Sequence, residues 1–190
     1  MADRGNHRVH HLDASGKVLR MIGYRGKIEG QLENPSGIAV SPDGQSVYVA
    51  DRGNNRVVIF NLDGACTGII GAGAGKERGY MQGPCGVAVR SNGQVAVCDY
   101  GNNRIQIFSA EGKCISTLGD STDPGSMRQR LLQPSAVCYD RQEQVVVADY
   151  GNQRVVIFKE DGTVCQELVG GWGGVSSESF NGPCAVATGG

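Results

Sequence analysis

The chain has 190 residues, 39% hydrophobic and 19% charged, with a net charge of −1, which is long enough for one compact core and too short for two ordinary domains with a linker. Near-neutral charge excludes nucleic-acid binding driven by the overall balance and leaves only a local patch to do it. No apolar run approaches the roughly 18 residues that cross a bilayer, so no membrane partner is expected. Residues 1–9 hold no apolar segment behind a basic start, so no signal peptide is expected either. The 30 glycines follow no three-residue period and therefore mark turns.

Taken in order, the chain is a repeat. A heptad opens it (Asp3, Arg4, Gly5, Asn6, His7, Arg8, Val9) and an apolar run follows at 18–22. The second unit places runs at 37–40 and 47–50, a heptad from Asp51, and runs at 57–60 and 68–70. The third has runs at 86–89 and 95–98, a heptad from Asp99, and runs at 105–108 and 114–118. The fourth has 136–139, 145–148, a heptad from Asp149, then 155–158 and 164–169, and a last short run stands at 185–187. The heptads start at 3, 51, 99 and 149, spacings of 48, 48 and 50 residues.

Runs of this length, rich in Val and Ile and bounded by Gly, Asn or Asp, are strands. Their near-continuous apolar character predicts sheets covered on both faces. Glycines 16, 64, 112 and 162 lie between the third and fourth runs, and Gly44 and Gly93 between the first and second, where positive φ suits a hairpin. Residues 140–143 have no glycine, so a longer or differently shaped turn is expected there. Four short strands in each of several 48-residue periods predict an all-β propeller of four-stranded antiparallel blades. The expected inventory is one propeller region over 1–190: a partial blade at 1–22, blades at about 35–71, 84–119 and 134–170, and a trailing first strand at 183–188.

Seven cysteines (66, 85, 98, 114, 138, 165 and 184) are odd in number and form no C-x-x-C pair, which signals neither a disulfide framework nor a zinc knuckle. Most lie in or beside strand-like runs, where Cys acts as a small hydrophobe. A reducing compartment, the cytoplasm, is expected.

These features resemble the NHL-repeat family: proline before an apolar run, then Val-Ala-Asp-x-Gly-Asn-Asn-Arg and a second apolar run. The resemblance covers essentially the whole chain, and its local style is most like the C-terminal propeller of TRIM-NHL and brain tumour-type proteins. It implies an NHL-type β-propeller, about four blades' worth, as a fragment of a six-bladed ring. It also implies a non-catalytic recognition module for RNA or protein, without a cofactor. Any ubiquitin-ligase chemistry would belong to RING, B-box and coiled-coil segments outside this sequence, which with missing blades of the parent protein are the other expected partners.

Within the heptads, Asp51, Gly53, Asn54 and Arg56, with Asp99, Gly101, Asn102 and Arg104 and with Asp149, Gly151, Asn152 and Arg154, recur in every unit. They therefore read as architecture: Asp accepts turn N–H groups, Gly and Asn take left-handed backbone, and Arg pairs back across the turn. The variable second position (Arg4, Arg52, Tyr100, Tyr150) lies, in the resembled propellers, on the usual ligand face. Arg and Tyr are side chains that stack on bases and anchor interfaces. The fifth position (His7, Asn55, Asn103, Gln153) varies beside it. Both positions read as ligand contacts or as solvated turn residues, with Arg25, Lys27, Lys76 and Arg78 from the inter-blade loops. Counting Arg4 and Arg52 with loops 23–35, 71–84, 119–134 and 170–183 gives this side a net +2, and the opposite turns a net −3. An anionic ligand is favoured on the first side.

Leu32, Met81, Leu131 and Phe180 each stand three residues before a proline and are expected to plug the gaps between blades. Trp172 has no counterpart elsewhere and reads either as an exposed anchor or as a cover for a blade edge. A zinc-dependent amidating lyase of the propeller class has a similar repeat but needs His ligands from several blades. His7, His10 and His11 all belong to one unit, so neither a metal site nor a catalytic residue is expected.

Overall fold

The computed structural model describes residues 1–119, 129–169, 180 and 182–187. Asp120, Asp123, Arg128, Trp172 and Glu178, which entered the sequence reading, lie outside the described residues. β1 (Ala2–Asp3), β2 (Arg8–Leu12) and β3 (Val18–Ile22) make a three-stranded sheet. Three four-stranded sheets follow. The first contains β4 (Pro35–Val40), β5 (Ser46–Asp51), β6 (Arg56–Asn61) and β7 (Cys66–Ile70). The next contains β8 (Val87–Val89), β9 (Val95–Asp99), β10 (Arg104–Phe108) and β11 (Cys114–Leu118). The last contains β12 (Pro134–Tyr139), β13 (Val145–Asp149), β14 (Arg154–Phe158) and β15 (Val164–Val169). Each sheet is an antiparallel meander in chain order. No described helix is long and apolar enough to cross a membrane.

The core lies between the blades. Val9 and Ile22 of the first sheet meet Val49, Val58 and Phe60 of the second. Ala50, Val57 and Ile70, on the other face of that second sheet, meet Val87, Val95, Val97 and Phe108 of the third. Ile105, Ile107 and Leu118 then meet Val137, Val147, Val156 and Phe158 of the fourth. A strand whose two faces are both claimed has no position left for polar alternation, which is why β9 and β13 are buried along their whole lengths. Phe60, Phe108 and Phe158 recur at one position, and burying each stabilises the interface by roughly 1.5–3 kcal/mol. Leu32, Met81 and Leu131 sit in these three clusters, as plugs should. Phe180 is exposed.

Three expectations are corrected. The glycine-free turn at 140–143 has the same form as its counterpart at 90–93: Asp140 N–H donates to Gln144 O at 3.1 Å, as Arg90 N–H does to Gln94 O at 2.8 Å. Glu143 itself takes φ 61°, the position filled by Gly93 at φ 84°. A non-glycine residue there is strained, and its carboxylate is held by Arg90 Nε at 2.8 Å and Ser91 Oγ at 2.7 Å. Burial is not the cause of its lowered pKa; the Ser91 hydroxyl and then Arg90 stabilise the anion. Second, of the trailing first strand expected at 183–188, residue 188 lies outside the described residues and residues 183–187 join no described sheet, although Ser135 Oγ donates to Pro183 O at 2.8 Å. Third, the left-handed residue of the heptad is not the glycine but the fifth position: His7, Asn55, Asn103 and Gln153 have φ between 54° and 56°.

Candidate recognition face

Three of the four heptads close the loop between two blades around a buried carboxylate. Asp51, Asp99 and Asp149 are fully buried. Asp99 accepts from Gln82 N–H at 2.7 Å, from Asn102 Nδ2 at 2.8 Å, from Arg104 Nε at 2.8 Å and from Gln106 Nε2 at 3.0 Å. Asp51 is held alike by Glu33 N–H, Asn54 and Arg56, and Asp149 by Leu132 N–H, Asn152 and Arg154. Burial outweighs these bonds at Asp51 and raises its carboxyl above the usual range. Asp3, part-exposed, is instead held down at about 2 by Asn6, then by His10 and Arg8.

The arginines continue into the preceding loop. Arg56 donates to Ile28 O and Gln31 O, Arg104 to Glu77 O and Tyr80 O, and Arg154 to Arg130 O. The glycines press on the same loops. Gly53, Gly101 and Gly151 donate N–H at 2.8 Å to Glu33 O, Gln82 O and Leu132 O. A Cβ at any of the three would stand 2.8 Å from that carbonyl oxygen. The motif glycine thus serves close approach, not backbone freedom.

The fifth position is architecture where a ligand contact was one of the two expectations. Asn55 Oδ1 accepts Gly83 N–H at 2.8 Å, Asn103 Oδ1 accepts Gln133 N–H at 2.9 Å, and His7 Nδ1 accepts Asn34 N–H at 3.0 Å. Each side chain staples its turn to the following inter-blade loop. Gln153 is exposed and makes no such bond among the described residues. Replacing Asn103 by Ala removes one hydrogen bond, worth about 0.5–1.5 kcal/mol, and puts at φ 56° a residue that tolerates left-handed backbone less well than Asn, at a further cost of at most about 1–2 kcal/mol. Asn103→Gly loses only the bond. We expect thermal denaturation to rank wild type above Asn103→Gly and Asn103→Gly above Asn103→Ala; equal variants would remove the backbone part of this account.

Among the described residues the second-position side chains make no such hydrogen bond, although Tyr100 also packs against the core between the third and fourth sheets. Because the turns of the second and third heptads are bonded to the loop before them and stapled to the loop after them, these turns and loops share one side of the blades. Arg52 lies with its guanidinium carbon 4.9 Å from the centroid of the Tyr100 ring, so two predicted contacts from adjacent blades are brought together. Arg52 also borders Gly83, its Nε 3.8 Å from where a Cβ would stand. Among the described residues it makes no hydrogen bond and no ion pair. Tyr150, exposed, packs over Gly182 in the next loop. Arg4, Lys27, Lys76 and Arg78 are exposed and their side chains have no partner among the described residues. Arg25 is engaged by Glu33 at 3.6 Å.

Two side chains with clear roles escaped sequence reasoning. Gln106 is fully buried where β6 and β14 have Val58 and Val156, and it accepts Gly79 N–H and donates to Tyr80 O and Asp99. His10 occupies the same position in β2 and its Nε2 lies 3.0 Å from Asp3. A polar residue inside the apolar run after a heptad was the available signal. Two hollows lie away from Arg52 and Tyr100: one of about 460 Å³ between the first two sheets, lined by His10, Ile22, Ile38 and Leu62 among others, and one of about 200 Å³ beside Arg90 and Tyr139.

Meandering four-stranded sheets, packed face to face with a heptad turn closing each junction, define a β-propeller of NHL-type repeats. Residues 131–158 match the NHL repeat model. Residues 2–119 match "SMP-30/Gluconolactonase/LRE-like region", and the chain belongs to that family. No curated protein matches the chain. Among solved structures, a catalytically inactive virginiamycin B lyase from Staphylococcus aureus with quinupristin is similar at a TM-score of 0.68 and 15% identity, covering 99% of this chain and 55% of the lyase. A streptogramin B lyase follows at 0.61 and 17%, covering 86% and 48%. Hydrazine synthase from Kuenenia stuttgartiensis is similar at 0.61 and 15%, covering 86% and 42%. The chain spans about half the length of these structures, and at such identities the likeness speaks for the fold alone.

Proposed function

We propose that the chain is a non-catalytic recognition module whose turn-and-loop side binds single-stranded RNA, within a TRIM-NHL-like cytoplasmic protein. The observation that carries this reading is Arg52: a guanidinium stacked on Tyr100 and lacking any anionic partner among the described residues. A guanidinium held on a ring without its own anion is poised to meet one, and the half-buried Tyr100 ring beside it is a platform on which a base can stack. Lys76 and Arg78 in the adjoining loop, exposed and without partners among the described residues, with Lys27 and Arg4 farther along, supply phosphate contacts that position without reading sequence.

Anisotropy titrations with labelled single-stranded RNA test it. Affinity should fall steeply as salt rises. Arg52→Ala and Tyr100→Ala should each weaken binding about fivefold to a hundredfold, the worth of one stacking platform. Lys76→Ala should flatten the salt slope by about one unit. RNA binding untouched by both Arg52→Ala and Tyr100→Ala overturns this site; a partner protein lost on the same substitutions and resistant to nuclease would make the ligand a protein, such as a ubiquitination substrate.

A lyase- or lactonase-type propeller is the second reading, favoured by the family match over residues 2–119. Among the described residues no three His, Cys, Asp or Glu side chains gather to hold a metal ion. Such an enzyme would need ligands from elsewhere, and stoichiometric metal retained through dialysis would support it.

A further inference from the structure

The third blade differs from its sisters in two buried atoms of sulfur. Cys98 precedes the last residue of β9, where Ala50 and Ala148 stand in β5 and β13, and Cys85 follows a proline where Ser36 and Ser135 follow theirs. The fold therefore needs sulfur at neither place. Cys85 N–H donates to Cys98 O at 3.1 Å, and Cys98 N–H donates to Gly86 O at 2.9 Å. Two residues thus oppose one, the pattern of a β-bulge, which re-aims a side chain. Both cysteines join the core cluster toward the fourth blade, where Cys85 Sγ lies 3.2 Å from Pro134 O and 3.3 Å from Ser135 O. Antiparallel neighbours have Cα atoms roughly 4.5–5.5 Å apart, inside the roughly 4.4–6.8 Å that a disulfide spans.

We propose that Cys85 and Cys98 form a peroxide-oxidisable thiol pair that closes to a disulfide within the third blade. The Cys85 thiolate attacks one oxygen of hydrogen peroxide. The O–O bond breaks, hydroxide leaves and takes a proton to become water, and Cys85 becomes a sulfenic acid. The Cys98 sulfur then displaces the hydroxyl from Cys85, its own proton leaving with that hydroxyl as a second water. Two thiols lose two electrons in all, and the peroxide is reduced to two waters. The environments divide these roles. The side-chain hydrogen bond with Cys98 holds the Cys85 thiol below its usual range, whereas complete burial pushes Cys98 well above it. Cys85 also keeps 6% exposure while Cys98 has none. The attacking thiol is thus the more acidic of the two and the one that keeps some exposure, and the resolving thiol is fully buried.

Differential alkylation after a peroxide pulse, read by peptide mass spectrometry on the whole chain, tests the proposal. The expected product is an 85–98 cross-linked peptide pair, two mass units lighter than the thiols and reversed by dithiothreitol. The variants Cys98→Ala and Cys85→Ser install residues that the sister blades already carry, so both should fold. In Cys98→Ala, Cys85 should progress to sulfinic acid. In Cys85→Ser, Cys98 should stay reduced. If Cys85 and Cys98 both remain alkylatable after the exposed Cys165 and Cys184 have been oxidised, or if Cys85 links only to another molecule, the pair is not what is proposed here. Should Cys98→Ala fail to fold, the wild-type cross-link and Cys85→Ser decide the matter alone.

Discussion

Asp99→Ala should lower the melting temperature by about 6–20 °C, since breaking a buried ion pair from one side costs about 3–5 kcal/mol and a chain of this size loses about 2–4 °C per kcal/mol. The carboxylate is fully buried and gathers four donors from three segments: Gln82 N–H, Asn102, Arg104 and Gln106. Removing it leaves a guanidinium that is itself buried without its anion, and that desolvation cost, not the lost attraction, makes the effect large. Asp99→Asn keeps the shape and some of the acceptors, and should fall in between. Asp3 performs the same role for Arg8 and Asn6 at a part-exposed site, where water can replace it. Asp3→Ala should therefore cost much less. Equal losses for the two variants, measured by calorimetry at one pH, would mean that the carboxylates matter through their local turn and not through burial between blades.

The propeller itself was open to sequence reading because its core demands are periodic. A blade covered on both faces must be written in Val and Ile, and a junction closed by one carboxylate must repeat that carboxylate, so period and strands could be seen without coordinates. What could not be seen were contacts that leave no local trace. Gly101 looks like a turn glycine, yet its constraint is the Gln82 carbonyl, nineteen residues back in the chain. The turn at 140–143 looked irregular because glycine was taken as the condition for positive φ, whereas Glu143 is held there by Arg90 and Ser91 from the neighbouring blade. Asn55 and Asn103 suited two roles, since Asn is both a polar contact and the residue type that tolerates left-handed backbone. Recurrence across all four heptads, with His and Gln as substitutes, was the sign that favoured the second. The meeting of Arg52 and Tyr100 was legible only as equivalent positions one period apart; that they touch depends on the lean of adjacent blades.

The motif glycine offers the sharpest internal comparison. At Gly101 a Cβ would stand 2.8 Å from Gln82 O and 2.7 Å from Gln82 Cγ. A flexible side chain could yield, but the carbonyl is tied to the Gly101 N–H by the 2.8 Å bond that holds turn and loop together. Gly101→Ala must then push the loop away, lengthening that bond and straining the Asp99 cluster beside it, at about 1–3 kcal/mol or more for an overpacked contact. Gly5 holds the same place in the first heptad, but nothing stands within 4 Å of its would-be Cβ and its φ is not positive. Alanine there meets no obstacle and narrows the unfolded ensemble, so Gly5→Ala should be neutral or stabilising by about 0.4–1 kcal/mol. One substitution at one motif position thus has different expected outcomes, separated by about 1–4 kcal/mol. Had the glycine been selected for backbone freedom, both variants would lose stability alike in urea titration. The difference between them measures how much of the motif exists to bring a loop against a turn, which is also what places Arg52 beside Tyr100.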